Sequence, residues 1–157
     1  MKSQYQAPWS RKLIITTAFF AVLLIVAFIV MNSLAATIFL SLILIVSVLL
    51  LVRGYSIVEG KLLIHRLGWA ATYDLLSLKN AEWKPNITVG SIRSFGAGGF
   101  FGYVGRFKNN ELGKYDAYVT DEQNSVLLEF DDKNIVVSPD EPEKFVDEIS
   151  KNISTED

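Results

Sequence analysis

The hydrophobic pattern of this chain changes character once, at Arg53. Residues 13–52 carry no charge, and they are bracketed by Arg11-Lys12 and Arg53. Laid out as one helix at 1.5 Å per residue, the run would reach about 60 Å, twice the roughly 30 Å hydrocarbon thickness of a bilayer. Two crossings suit it better than one. Asn32-Ser33 is the adjacent polar pair near its middle. The pattern therefore predicts transmembrane helices over 13–31 and 34–52, joined by a tight turn and preceded by a cytoplasmic segment, 1–12. Leu, Ile, Phe and Val each favour the membrane centre by roughly 0.3–0.6 kcal/mol. A dozen or more in each segment gives on the order of 4–8 kcal/mol per helix. Thr16, Thr17, Thr37, Ser41 and Ser47 can bond back to their own helix carbonyls. Alternatively, Ala35, Ala36, Ser41 and Ser47 form a seam for close helix approach. A cleaved signal peptide is disfavoured, because the first run exceeds the 7–15 residues of a signal core and Leu34-Ala35-Ala36-Thr37 leads into more apolar sequence.

After Arg53 the period shortens to that of strands. Candidate strands are 55–58 and 61–67 around the hairpin pair Glu59-Gly60, then 71–75 and 79–84, ended by Pro85-Asn86. The stretch 88–102 is glycine-rich and reads as irregular. Strands resume at 103–107, 115–120, 126–130 and 135–137, with connections of turn composition at 109–113, 121–124 and 131–134. Short strands at this spacing predict a meandering antiparallel sandwich or barrel. The chain closes with a helix. Asp140 with Glu143, or Ser138 with Glu141, supplies a capping pair, and Pro142 sits in the first turn. Phe145, Val146, Ile149 and Ile153 fall on one apolar stripe. The segment 54–157 is thus one cytoplasmic domain, set directly on the membrane with no flexible linker.

Charge fixes the orientation. Lys2, Arg11 and Lys12 precede the first helix, Arg53, Lys61 and Arg66 follow the second, and the turn has no cation. Both termini are expected in the cytoplasm of a cell whose plasma membrane holds the hairpin. All 17 acidic residues lie after Arg53 against 12 basic residues from Arg53 on, a net of −5 for that part. Such a balance disfavours nucleic-acid binding and a whole domain lying flat on an anionic bilayer. With no cysteine there is no disulfide framework or thiol chemistry.

Three blocks carry a family resemblance. They are Ser91-Ile92-Arg93-Ser94-Phe95-Gly96-Ala97-Gly98-Gly99-Phe100-Phe101-Gly102-Tyr103-Val104-Gly105-Arg106-Phe107, then Tyr118-Val119-Thr120-Asp121, then Val136-Val137-Ser138-Pro139 leading to Pro142-Glu143-Lys144-Phe145-Val146. With a helical hairpin ahead of them, the chain resembles bacterial membrane-anchored proteins with a pleckstrin-homology-like (PH-like) domain. The resemblance covers most of 55–153. It implies a mainly-β, antiparallel, partly open seven-stranded barrel capped by a C-terminal α-helix. Eukaryotic members carry a Trp in the capping helix, and Phe145 takes its place here. Their phosphoinositide pocket uses a long loop between the first two strands, whereas here that loop is Glu59-Gly60, with Lys61 and Arg66 as the nearest cations.

No cofactor, metal or nucleotide is expected. A dinucleotide fingerprint needs its third glycine where Phe101 stands, and the Gly-Lys-Ser/Thr of a P-loop is missing. His65, the single histidine, makes a poor zinc site without cysteine. The acidic pairs Asp131-Asp132 and Asp140-Glu141 have turn and helix-start explanations. The expected function is recognition, by a regulatory or accessory scaffold subunit that meets a protein partner, or a second copy of itself, at the inner membrane face. Its candidate surface is Arg93, Phe95, Phe100, Phe101, Tyr103 and Arg106; the competing reading makes these aromatics core or lid. A lipid-headgroup binder using Lys61, Arg66 and Trp69 is the alternative, with Trp69 either at the bilayer interface or packed in the barrel. A small membrane enzyme acting at loop 95–106 is the third.

Overall fold

The computed structural model describes residues 3–31, 33–98 and 102–153. Two apolar helices come first, α1 (Arg11–Met31) and α2 (Leu34–Leu49). With 21 and 16 residues they are about 31 Å and 24 Å long. The second stops three residues before the uncharged run does, because Val52 already belongs to a strand and is fully buried. The span 11–30 is apolar and only 6% buried within the chain.

A strand ahead of α1 was not legible in the sequence. Ser3–Gln6 forms β1, which pairs antiparallel with β2 (Val52–Val58), Tyr5 opposite Tyr55 and Gln6 opposite Gly54. The helical pair is thus an insertion between two neighbouring strands, and both of its ends emerge from one sheet. β3 (Lys61–Arg66) and β4 (Ala70–Asp74) complete a four-stranded sheet in the order β1-β2-β3-β4. The β2–β3 turn has positive φ at both Glu59 (49°) and Gly60 (71°), as its two-residue length demands. A bulge between Val52 and Gly54 lets Val52, Tyr55 and Ile57 all face the core.

The second sheet has six strands: β5 (Leu78–Trp83), β6 (Ile92–Gly98), β7 (Tyr103–Asn109), β8 (Gly113–Val119), β9 (Val126–Phe130) and β10 (Asn134–Val137), in the order β5-β9-β10-β8-β7-β6. Two expectations need correcting. The described residues hold ten strands in two sheets rather than a seven-stranded antiparallel barrel, and β8 and β10 run parallel, Ala117 opposite Val136. The β4–β5 connection, a short 3-10 turn at Leu75–Ser77, does not join the two sheets into a closed one. The stretch 88–102 is not wholly irregular either, since β6 pairs with β7 along its length.

The inner strands are buried on both faces, which explains their unbroken apolar runs. Val126, Leu128, Phe130, Ile135 and Val137 face the main core with Tyr5, Tyr55, Leu62 and Ile64. Leu127, Val136, Ala117 and Val119 point the other way, to a smaller core with Ile87, Phe107 and Tyr115. The β5–β6 connection is fastened over that second core by Asn109 Nδ2 donating to the Ile87 carbonyl (2.9 Å) and by Tyr115 donating to Ser91 (2.6 Å).

The closing helix α3 (Pro142–Ile153) lays Phe145 and Ile149, both fully buried, into the main core. Both residues expected to begin its capping pairs also bind elsewhere in the fold. The Asp140 carboxylate accepts from the Gln6 backbone N–H (3.1 Å), so it ties the helix entry to β1. Ser138 Oγ accepts from the Thr120 N–H (2.8 Å), and the Ser138 N–H donates to Tyr55 Oη (3.1 Å), which itself donates to the Tyr118 carbonyl (2.6 Å).

That buried network has a pH signature. Burial pushes the Tyr55 phenol up to about 12, and its hydrogen bonds with Ser138 only partly oppose the shift. The folded state favours the protonated phenol, while the unfolded chain releases that proton from about pH 10. The contribution of Tyr55 is therefore intact below pH 10 and is lost as pH climbs towards 12, on the order of 2–3 kcal/mol. Burial also raises Tyr5 and Tyr73. Urea midpoints followed across this window should fall more steeply for the native chain than for Tyr55→Phe. Equal slopes would remove Tyr55 from the network's titration.

Candidate binding surface

β6 is the last strand of its sheet, so among the described residues its outer edge of N–H and C=O groups has no partner strand. Along it Ile92 is 75% and Phe95 78% exposed, and Arg93 and Ser94 are exposed too. Val89, just ahead, is also exposed. Natural sheets usually blunt such an edge with charge, proline or a covering element. Here one charge, Arg93, and a bulge beside it share the edge with two large apolar side chains. Register places Phe95 opposite Arg106 and Arg93 opposite Phe107. Arg106 is held by Asp116 on β8 at 3.5 Å.

The expected surface residues therefore divide. Arg93, Phe95 and Arg106 do assemble on one hairpin. Tyr103 does not belong with them: it is half-buried, sits edge-on to Phe107 at 5.7 Å and packs against the second core. Burial first, and the neighbouring Glu122 carboxylate second, raise its phenol. Phe100 and Phe101 lie outside the described residues. Gly102, at φ 118°, has no room for a side chain, because a Cβ would fall 2.5 Å from the Val119 carbonyl oxygen. The start of β7, at the turn end of the hairpin, lies beside α1. Tyr103 and Gly102 share a small cleft with Ser10, Leu13 and Thr16, and Lys12 pairs with Glu122 at 3.3 Å. Ile92 and Val89 escaped the sequence reading because the glycines around them hide any two-residue alternation.

The second group, Lys61, Arg66 and Trp69, is split by the fold. Lys61 and Arg66 are at opposite ends of β3, about 17 Å apart along the strand. Arg66 and Trp69 do meet. The guanidinium carbon lies 5.5 Å from the Trp69 ring centroid and 4.8 Å from that of Tyr118. Trp69 is 48% exposed, so it is not packed inside the sheets. A Cβ on Gly68 would lie 3.6 Å from Leu49 Cδ2, which puts the β3–β4 turn against the end of α2.

The fold also makes a pairing that spacing alone did not reveal: Ser56 Oγ and His65 Nε2 are 2.7 Å apart across β2 and β3. Ser56 is 1% exposed, so this hydroxyl is not presented to a substrate. Among the described residues, no three His, Cys, Asp or Glu side chains converge as a metal site. A family model described as the bacterial PH domain matches residues 53–153. No curated protein and no solved structure gives a significant match.

Proposed function

Because this chain belongs to the bacterial PH-domain family, a family of binding rather than catalytic modules, we propose that it is a membrane-tethered scaffold that recruits a protein partner along β6. The observation that carries this reading is the open edge of β6, with Ile92 and Phe95 three-quarters exposed on it. An extended segment of a partner adds a strand there. Main-chain hydrogen bonds supply affinity, and Ile92, Phe95 and Arg93 supply selectivity. A strand from a second copy of this chain is the other occupant such an edge accepts.

Tethering is supported by α1, which is apolar along its length and exposed outside one stripe that includes Leu13, Thr16, Phe20, Leu24 and Ala27, as expected of a helix solvated mostly by lipid rather than by a protein core. The β1–β2 pairing supports a hairpin that leaves and re-enters on one side of the bilayer. The cations Arg11, Lys12 and Arg53 at its two ends favour the cytoplasmic side. Trp9 and Trp69, both partly exposed beside the helix ends, suit the headgroup level. At 16 residues, α2 is short for a full crossing, and local bilayer thinning accommodates it.

Phe95→Ser separates recognition from packing. With the ring exposed, stability should change by no more than about 0.5 kcal/mol, while photo-crosslinking from position 92 in native membranes should lose its partner adduct. A large drop in melting temperature would make Phe95 core. An adduct unchanged in yield would take the partner site off β6.

A further inference from the structure

The face of the second sheet that carries the main core continues past the core. Val104 on β7 and Tyr118 on β8 are opposite one another and buried in it. Two positions further along, the same face emerges into solvent with Arg106 opposite Asp116, and then with Lys108 opposite Lys114. Register sets Phe95 of β6 opposite Arg106 and Ile92 opposite Lys108. Side chains alternate across a strand, so Phe107 and Tyr115, which lie between these positions, point to the second core instead. The face that β6, β7 and β8 leave outside the core thus combines Ile92 and Phe95 with three cations and one carboxylate. From Arg53 on the chain has a net charge of −5, so this is a local reversal of sign.

The acids close to this face are already engaged. Asp116 is held by Arg106 at 3.5 Å, and Glu111, in the β7–β8 turn, pairs with Lys84 at 3.4 Å. Lys108 and Lys114 are exposed and form no ion pair among the described residues. Like charges directly opposite one another destabilise an antiparallel pair. Folding gains nothing from that arrangement, whereas an anion lying over it gains from both ammonium groups.

We propose that the segment recruited along β6 is an acidic, extended stretch of the partner protein, with alternate carboxylates lying over this face. That assignment rests on the β6-edge reading above and adds the partner's chemistry. Neighbouring strands are about 4.8 Å apart, so an added strand would run about 10 Å from β7. A lysine or arginine stem on one side and a glutamate on the other span that distance, and the cationic stems have Ile92 and Phe95 to lie over. Alternate residues of an extended chain recur about every 7 Å, on the added strand as on β7, so successive carboxylates meet Arg106 and Lys108 in turn. Main-chain pairing supplies the docking, and the ion pairs select acidic over neutral sequence.

The test uses the full chain in mild detergent with fluorescent peptides that alternate valine with glutamate, glutamine or lysine, read by anisotropy. The glutamate peptide should bind about fivefold more tightly than the glutamine peptide at low salt, and the gap should close as salt is raised. The lysine peptide should bind weakest. Lys108→Gln combined with Lys114→Gln should remove most of the gap and leave the urea midpoint unchanged or slightly higher, because a like-charge pair is relieved. Lys108→Glu combined with Lys114→Glu should invert the order of the peptides. Equal binding of the three peptides, or a glutamate preference that survives the double glutamate substitution, overturns the proposal. So does a short single-stranded DNA that displaces the glutamate peptide at equal concentration, which would make this a general polyanion surface. Photo-crosslinking from position 92 in native membranes scores the edge separately. A partner adduct retained in the Lys108→Glu, Lys114→Glu chain keeps the β6 reading and defeats the acidic partner, whereas an adduct unaffected by Phe95→Ser defeats the β6 reading itself.

Discussion

Phe145→Ala is expected to destabilise the folded domain by about 3–5 kcal/mol. The ring is fully buried and meets Tyr5 edge-on at 5.0 Å and Tyr55 at 6.2 Å. Its removal opens a cavity where α3, β1 and β2 meet, and among the described residues Ile149 is the other fully buried side chain of α3. The backbone around such a site collapses only partly, so the cavity adds to the lost transfer energy. Phe145→Trp is the informative companion. It introduces the residue that eukaryotic relatives carry, into a space shaped for a smaller ring, at a cost of about 1–3 kcal/mol. Chemical denaturation of the detergent-solubilised chain measures both. A loss under about 1 kcal/mol for the alanine variant would mean that α3 is not held by this ring.

The next largest effect is expected at a glycine whose role is space. A Cβ on Gly54 would lie 2.6 Å from the Tyr5 carbonyl oxygen, a main-chain atom that cannot swing away. Gly54→Ala must therefore push β1 off β2. Tyr5 would then leave its place against Phe145, and its hydroxyl would release Glu148, now 2.5 Å away. Lost burial and strain together come to about 2–4 kcal/mol. The specific readout is protease sensitivity of residues 3–10, which are guarded by the β1–β2 pairing in the native chain. Cleavage there should rise well before global unfolding. A variant that keeps both its midpoint and its protection would show that β1 is not seated as described.

These two residues also mark how far the sequence could be read. Phe145 was legible: the stripe Phe145, Val146, Ile149 has helical period, and an amphipathic helix after a set of strands must bury that stripe. Gly54 was not. Its requirement comes from a strand forty-eight residues upstream in register (Gln6 opposite Gly54), and Ser3–Gln6 is too short and too polar to signal a strand by alternation. The candidate surfaces divide along the same line. The glycine-aromatic stretch stood out by composition, but only strand order makes β6 an edge and Tyr103 a core residue. Arg66 and Trp69 could be linked across a tight turn. Gln4 and Gln6 could not be linked to Arg53 and His65, because β1 is separated from the β2–β3 hairpin by the two apolar helices.

Composition and period alone determined the division at Arg53, the apolar helices, most strand positions and the final helix. Each of these follows from near-neighbour spacing: 3.6 residues per helical turn, two per strand repeat, and turn residues between them. Tertiary structure decided the parallel β8–β10 pair, the second small core, the seating of β1 and the sharing of Ser138 among Tyr55 and Thr120. Those depend on which strands become neighbours, and that choice is made by burying two apolar faces at once. No local window of the chain carries that information.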